Sequence, residues 1–274
     1  MKAVERIEDL NKISFPKLGW EFNIDPTAFK IGSLEIQWYG IIITLGLVLA
    51  VLYCIPRMKR FGIDSDRAID AVIGGVLGGI VGARAYYVIA EWDEYKGNIK
   101  EIFNTRGGGL AIYGGIIGAL LVGLLICRIR KVKALPMLDV TVLGFLIGQG
   151  IGRWGNFFNA EVYGRETENI LRMTINGGPG VHPLFLYEGI WNFVGLVLLL
   201  ALRHRKKIDG QVFCFYIFWY SLGRLFLEGM RQSEYILYLI PNVLGISQVV
   251  AVIGIIIGAG GKIYFGLKAK KTLQ

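Results

Sequence analysis

This chain has few cysteines and histidines, and its first residues do not show the pattern of a signal peptide. Its 274 residues include only two histidines and three cysteines, and the cysteines lie far apart, at Cys54, Cys127 and Cys214, without a CxxC pair. Disulfides and a metal centre are therefore not expected, and the thiols are predicted to be free and buried. Residues 1–33 lack the basic, apolar and small-residue regions of a signal peptide, so no cleaved targeting segment is expected.

Charged residues are scarce within seven long apolar blocks. The composition is 54% hydrophobic, with a mean hydropathy of +0.51. A helical run of about 20 apolar residues crosses the roughly 30 Å hydrocarbon core of a bilayer. The blocks lie at about residues 34–55, 68–90, 110–127, 137–151, 183–202, 212–227 and 243–264. They predict an all-α, polytopic membrane helix bundle of about seven transmembrane helices over residues 34–264.

Glycine is frequent in two of these blocks. In the second block, Gly74, Gly78 and Gly82 recur every four residues, a spacing typical of closely packed membrane helices. The fourth block, 137–151, is short and glycine-rich. We therefore expect it to be tilted or to continue irregularly into the next segment.

Lysine and arginine are unevenly distributed between the loops. Basic clusters follow the first, third and fifth blocks and recur in the tail, at residues 57–67, 128–133, 203–207 and 262–271. By the positive-inside rule, segment 1–33 lies outside the membrane and tail 265–274 lies in the cytoplasm. The one long loop, 153–182, is then a small external subdomain. This pattern explains the net charge of +9 better than nucleic-acid binding, which is not expected.

Arginine and glutamate nonetheless occur at bilayer depth. An arginine at the bilayer centre costs about 2.5 to 3.5 kcal/mol on insertion scales, so each is a candidate functional residue. The predicted topology places polar residues from six blocks in or beside the outer half of the membrane, namely Tyr39, Arg84, Tyr113, Arg153, Asn156, Glu161, His182, Tyr187, Glu188, Tyr220, Arg224 and Glu228. Snorkelling to the interface explains any one of them but not the group, which predicts a polar site.

One stripe of this group lies on the sixth block. Tyr220, Arg224 and Glu228 recur every four residues and so share one helix face, which is expected to point into the bundle. A purely structural ion pair is the alternative. Because arginine stays charged and presents a planar fork suited to phosphate, the site is predicted to bind an anion, with a lipid headgroup as its natural occupant.

Residues 152–161 read GRWGNFFNAE. With this segment the sequence closely resembles the bacterial prolipoprotein diacylglyceryl transferase family, whose signature G-R-x-G-N-F-x-N-x-E it matches at all seven fixed positions. The likeness extends to WYG at 38–40, GGLAIYGG at 108–115, the His-Pro and Leu-Tyr-Glu groups within 182–188, and the stripe. Members are seven-span proteins of the bacterial cytoplasmic membrane with a site open to the outer leaflet.

The resemblance implies a function and a set of site residues. The family moves the diacylglyceryl group of phosphatidylglycerol to the lipobox cysteine thiol of a prolipoprotein and releases glycerol phosphate, with no cofactor or metal. The predicted lipid-binding residues are Arg153, Asn156, Asn159, Tyr39, Tyr220, Arg224, Gly164 and Arg84. The predicted catalytic residues are Arg153, Arg224, Glu161, Glu228, Tyr113 and His182. We expect the arginines to neutralise phosphate and the glutamates to hold the arginines.

Two departures from the family pattern affect the general base. Many members have a histidine where this chain has Tyr113, and more polar residues where it has Leu184 and Phe185. A thiol with a pKa near 8.5 benefits from a base or a positive field. The sequence leaves the acceptor of the thiol proton open between Tyr113 and His182, the only histidine outside the inner loops.

Other roles compete at several positions. His182 precedes a proline and fits a turn or capping role, and Asn156 and Asn159 fit helix capping. At the level of the whole protein, a secondary transporter or anion channel and a lipid-binding structural protein are the alternatives. No inverted repeat is visible and the polar group stays in the outer half of the membrane, which favours the enzyme over the transporter.

Overall fold

The computed structural model describes residues 10–32, 34–105, 108–204, 206–240 and 243–272. Within them the α-helices are α1 (Trp38–Cys54), α2 (Ser65–Ala90), α3 (Trp92–Tyr95), α4 (Ile99–Phe103), α5 (Ile112–Ile129), α6 (Ala134–Phe158), α7 (Leu184–Arg203), α8 (Gln211–Gly229) and α9 (Ile246–Thr272). The two 3-10 helices are Ile55–Phe61 and Ser233–Tyr235.

Short strands accompany these helices. They are β1 (Asn11–Phe15), β2 (Trp20–Ile24), β3 (Thr27–Ile31), β4 (Leu34–Gln37), β5 (Thr174–Ile175), β6 (Tyr238–Ile240) and β7 (Leu244–Gly245). They form three small antiparallel sheets, in the orders β2-β1-β5, β3-β4 and β6-β7. The protein is therefore mostly helical, as predicted, and it also carries these short strands, which the all-α prediction did not include.

Six helical segments in the described residues are long and apolar enough to cross a membrane. They are Trp38–Phe61, Ser65–Ala90, Ile112–Ile129, Ala134–Phe158, Leu184–Arg203 and Ile246–Lys268. Helix α8 is 19 residues long but is not among the six. Its tyrosines, Arg224 and Glu228 lower its hydropathy, so the seventh span stays a prediction. The structure is that of a polytopic helical membrane protein.

Two predicted span boundaries are corrected. The first block does not begin as a helix at residue 34, because Leu34–Gln37 forms strand β4, paired with β3, and α1 begins at Trp38. The fourth block does not end at residue 151, because α6 continues without interruption to Phe158. Its glycines serve packing instead of breaking the helix, and a Cβ on Gly150 would lie 3.1 Å from the Phe193 ring.

The chain divides into two compact units. One is Ile55–Val140, and the other comprises the described residues up to Cys54 and from Thr141 onward. Within Ile55–Val140, α2 and α5 pack backbone against backbone, as the glycine spacing predicts. A Cβ on Gly82 would lie 2.4 Å from the Gly114 carbonyl oxygen, and one on Gly118 would lie 2.2 Å from the Gly78 oxygen.

The second unit contains a small core built from both ends of the sequence. Strand β1 pairs with β2 on one side and with β5, from the long loop, on the other. Buried apolar side chains join this sheet to the ends of α6 and α7, namely Ile13, Phe15, Phe157, Met173, Val181 and Phe185. The segment before α1 and the loop before α7 therefore fold together over the ends of two helices.

Candidate functional site

A buried glutamate on the first turns of α7 forms the centre of the site. Glu188 is only 7% exposed, and a buried carboxylate needs ionic partners to offset its lost hydration. Its Oε2 lies 2.5 Å from Nη2 of Arg153, and its Oε1 lies 2.9 Å from Nη2 of Arg231 and 3.9 Å from Nη1 of Arg224. Glu188 thus bridges three arginines that come from α6, from α8 and from just beyond α8.

A second buried glutamate completes the group. Glu228 is 1% exposed, and its Oε2 lies 2.8 Å from Nη2 of Arg224 and 3.4 Å from Nε of Arg231. Glu228 therefore holds two arginines, as the sequence predicts for Arg224. We call Arg153, Arg224, Arg231, Glu188 and Glu228 the arginine cluster. Three arginines against two glutamates leave one surplus positive charge.

The three arginines differ in accessibility. The side chains of Arg153 and Arg224 are 24% and 18% exposed, whereas that of Arg231 is 9% exposed. Burial and the neighbouring Arg224 lower the pKa of the Arg231 guanidinium, against the opposite effect of Glu188 and Glu228. A guanidinium stays charged in spite of such a shift. Arg153 and Arg224 are therefore the members that a ligand can reach.

The amides of the motif connect Arg153 to Glu161. Asn156 accepts a hydrogen bond from Nη1 of Arg153 at 3.3 Å and donates one to Oε1 of Glu161 at 3.0 Å. Asn159 also donates to that oxygen, at 3.4 Å. Neither side chain caps a helix in these contacts. Glu161 acts on Arg153 through Asn156, and the direct carboxylate partner of Arg153 is Glu188.

Two glycines of the site allow close approach. A Cβ on Gly155 would lie 2.7 Å from Cδ2 of Tyr39, so the tyrosine ring packs directly on α6 beside the motif. A Cβ on Gly164 would lie 2.6 Å from Cβ of His182 and 2.7 Å from the Met230 carbonyl oxygen. The Gly164 N–H donates to the His182 oxygen at 2.9 Å. Gly164 thus lets the long loop pack against the segment that carries Arg231.

A small pocket opens between α7 and α8 beside the cluster. It has about 250 Å³ of empty space, and its lining residues are Glu188, Trp191, Asn192, Tyr220, Gly223, Arg224 and Leu227. Trp191 stacks on Trp219 with ring centroids 4.2 Å apart, and each indole N–H donates to the backbone oxygen of the other at 3.1 Å. This reciprocal pair fixes α7 against α8, and Trp191 lines the pocket.

His182 lies in the loop just before α7 and does not cap that helix. Its Nδ1 is 3.2 Å from Nδ2 of Asn169 and 3.5 Å from the hydroxyl oxygen of Tyr187. Burial lowers the pKa of the His182 ring below its ordinary value of 6.5. The N-cap of α7 is Pro183, which makes no side-chain capping bond. His182 therefore does not cap α7, and its side chain instead contacts Asn169 and Tyr187.

Two predicted site residues belong to the unit Ile55–Val140. Arg84 is 8% exposed, and its guanidinium donates to four backbone oxygens, those of Glu101, Ile102, Gly108 and Gly109, at 2.5 to 3.2 Å. It also lies 4.9 Å from the centre of the Tyr95 ring. Tyr113 is the second residue of α5 and is half-buried. Most N–H groups of Arg84 are therefore engaged by α4 and by the loop that follows it.

No role was predicted from the sequence for Glu188 or Arg231, although the sequence carries a signal for each of them. Glu188 belongs to the Leu-Tyr-Glu group and to the outer-half polar residues, and Arg231 follows Glu228 by three positions. A carboxylate with no basic residue nearby on its own helix signals a partner from elsewhere in the fold. That partner cannot be named from one helix, because Arg153 lies 35 positions earlier in the chain.

Comparison with known proteins identifies the family. The sequence model described as prolipoprotein diacylglyceryl transferase matches residues 26–264 of this chain. The chain belongs to the prolipoprotein diacylglyceryl transferase family. The resemblance inferred from GRWGNFFNAE is confirmed. The arginine cluster therefore belongs to a protein of this family.

Relatives agree over nearly the full length. A phosphatidylglycerol--prolipoprotein diacylglyceryl transferase of Clostridioides difficile is 41% identical over 251 residues, which are 92% of this chain and 99% of the relative. Proteins of the same name from Finegoldia magna and Listeria welshimeri are 42% identical over 251 residues and 39% over 256. These matches cover 91% and 89% of this chain and 98% and 91% of the relatives.

Proposed function

We propose that this chain transfers the diacylglyceryl group of phosphatidylglycerol to the lipobox cysteine thiol of prolipoproteins, the first step of lipoprotein maturation. The observation that carries the proposal is Glu188, which gathers three arginines beside a pocket in a chain of this family. The products are a thioether and glycerol phosphate.

Charge matching supports phosphatidylglycerol as the lipid. Its phosphodiester carries one negative charge, and the arginine cluster carries one surplus positive charge. Arg153 and Arg224 are the accessible members, and their planar forks suit phosphate oxygens better than a lysine ammonium does. We assign the phosphate to these two side chains and leave Arg231 as a buried partner of both glutamates.

The bond changes make these arginines catalytic. The cysteine sulfur forms a bond to the glyceryl carbon, the bond from that carbon to the phosphate oxygen breaks, and the electron pair leaves with glycerol phosphate. The departing phosphate gains negative charge as the bond breaks. Positive groups already fixed at that point stabilise the transition state without reorganising, which is the largest single effect in many enzymes. The thiol proton goes to an acceptor outside the cluster.

The role proposed for the glutamates is to hold the arginine side chains in place. Glu188 and Glu228 contact the arginines directly, and Glu161 acts through the Asn156 amide. We therefore propose positioning roles for Glu161 and Glu228, and the same role for Glu188, which the sequence did not assign.

The remaining predicted lipid-binding residues divide by their contacts. We propose that Tyr220 and Arg224 contact lipid, because they line the pocket, and that Asn156 contacts the headgroup beside Arg153. Asn159, Tyr39 and Gly164 are proposed to support these groups. Arg84, whose donors serve α4 and the loop that follows it, is proposed to hold that segment and not to bind phosphate.

The location follows from the charge pattern. We propose a cytoplasmic-membrane protein with its N-terminus outside, its C-terminus inside, α8 as the seventh span and the site open to the outer leaflet, where the lipobox segment of a prolipoprotein signal peptide reaches it. The loop subdomain and residues 10–31 then lie together on the outer side, consistent with the pairing of β1 with β5.

A direct assay tests the proposed function. The purified protein is incubated with phosphatidylglycerol vesicles and a lipobox peptide, and the peptide is examined by mass spectrometry. We expect a diacylglyceryl thioether and an equal amount of glycerol phosphate. A peptide with serine in place of the cysteine, and vesicles of phosphatidylcholine alone, are the controls and should give none. No thioether with the complete system would contradict the proposal.

A further inference from the structure

The side chain of Asn169 has a fixed orientation in the long outer loop. Its Oδ1 accepts a hydrogen bond from the backbone N–H of Leu171 at 2.9 Å, which is the geometry of an Asx turn. Its own N–H donates to Thr167 Oγ1 at 3.3 Å. Because the oxygen is engaged by a donor, the amide nitrogen must occupy the other position, and its two hydrogens point away from Leu171.

These hydrogens meet the ring of His182 and the hydroxyl of Tyr187. Asn169 Nδ2 lies 3.2 Å from His182 Nδ1 and 3.0 Å from the Tyr187 oxygen. An amide nitrogen can only donate. His182 Nδ1 therefore accepts and carries no hydrogen. The neutral ring then has its hydrogen on Nε2, since a neutral imidazole carries one hydrogen.

Tyr187 does not alter this assignment. Its oxygen lies 3.5 Å from His182 Nδ1, and once that oxygen accepts from Asn169 its hydrogen is free to point at the ring. Both neighbours of Nδ1 are thus donors. To take up a proton at Nδ1, the ring would have to face the Asn169 amide hydrogens, and rotation of the amide would break its bond to Leu171.

The contact also connects two parts of the site. His182 accepts a backbone hydrogen bond from Gly164 and donates one to the Arg165 oxygen, and Tyr187 directly precedes Glu188. Asn169 therefore ties the outer loop to the first turn of α7, where Glu188 gathers the arginines.

We propose that Asn169 is a positioning residue that holds His182 as the Nε2–H tautomer, so that His182 acts as a hydrogen-bond donor and not as the acceptor of the thiol proton. Neither ring nitrogen then offers a free lone pair, because Nδ1 is engaged and Nε2 is protonated. The part concerning the thiol rests on the proposed function, whereas the tautomer does not.

The two-histidine composition makes the tautomer directly measurable. A protein with His204→Gln contains His182 alone and is labelled with ¹⁵N-histidine in detergent micelles at about pH 8, where imidazole is neutral. We expect an unprotonated Nδ1 resonance and a protonated Nε2 resonance. With Asn169→Asp, the carboxylate accepts from Nδ1–H and the pattern should reverse. Tyr187→Phe should leave it unchanged, since Asn169 still donates.

Transfer activity tests the positioning role. Asn169→Asp should lower thioether formation about tenfold, the loss expected from one misplaced neutral hydrogen bond. Asn98→Asp is the matched control, because Asn98 caps α4 by accepting from the Glu101 N–H and aspartate caps equally well. It should keep wild-type activity.

The outcomes separate the two proposals. Three results would each overturn the role of Asn169. They are a wild-type ring that is protonated on Nδ1, a protonation pattern of the ring that Asn169→Asp leaves unchanged, and thioether formation that stays unchanged after the pattern reverses. If the wild-type protein forms no thioether but shows the Nε2–H pattern, the proposed function fails while the tautomer assignment stands.

Discussion

At the scale of single residues, Arg153 shows why the type of cation matters. It reaches Glu188 through one terminal nitrogen and Asn156 through the other, so its fork is used in two directions at once. Lysine keeps the charge but presents one compact ammonium that cannot make both contacts and also face a phosphate.

We therefore expect Arg153→Lys to lower transfer about a hundredfold, comparable to losing one fixed donor from a charge-stabilising site. The measurement is thioether formation per unit of purified protein. Arg172→Lys is the control, since Arg172 pairs with the exposed Glu168 in the outer loop. Turnover by Arg153→Lys within a factor of about two of wild type would remove Arg153 from the phosphate.

His182 gives a prediction about stability and pH. Burial lowers the pKa of its ring below 6.5, so the unfolded chain binds the proton more readily than the folded one. Its contribution to stability is therefore present above pH 6.5 and is lost as the pH falls through the lowered pKa.

The thermal unfolding midpoint in micelles should drop between about pH 7.5 and about pH 5.5, and His182→Gln should reduce that drop. His204→Gln, at the exposed end of α7, should leave it unchanged. If His182→Gln and wild type show the same dependence on pH, the ring titrates freely in the folded protein.

At the scale of helices and strands, the sequence predicted what depends on local pattern. Long apolar blocks predicted the six candidate spans, and the glycine spacing predicted the α2–α5 contact, because both follow from repeats within one segment. The pairing of β1 with β5 was not predictable. Ser14 and Thr174 are 160 positions apart, and five alternating residues are too weak a signal beside a membrane helix.

The α2–α5 contact can be tested with two matched glycine substitutions. Gly82→Ala places a Cβ 2.4 Å from the Gly114 oxygen, and backbone cannot move aside as a flexible side chain can. We expect destabilisation of about 1 to 3 kcal/mol, as for overpacked cores. Gly260→Ala, on α9 with nothing within 4 Å, should be neutral or stabilising, since alanine favours helix.

The thermal unfolding midpoints of the two variants test the contact between α2 and α5. Equal stability of Gly82→Ala and Gly260→Ala would show that α2 and α5 are not in backbone contact. The comparison removes the intrinsic helix propensity, which is the same in both substitutions.

At the scale of the whole molecule, the arginine cluster explains how charge is tolerated in an apolar protein. The sequence predicted Arg153, Arg224 and Glu228 because each interrupts or ends an apolar block. It did not predict that Glu188 is the common partner of Arg153, Arg224 and Arg231, because these contacts join helix ends that are distant in the chain. The chemistry proposed here depends on this convergence, since the arginines otherwise repel one another.

Transfer by Glu188→Gln, measured beside wild type with phosphatidylglycerol and a lipobox peptide, tests this account most directly. Glutamine keeps the shape of the side chain but leaves three arginines gathered around a neutral group. We predict that thioether formation falls about a hundredfold or more, as expected when one partner of a buried ion pair is removed. Glu94→Gln, on the exposed helix α3, should match wild type. Near wild-type transfer by Glu188→Gln would contradict the account.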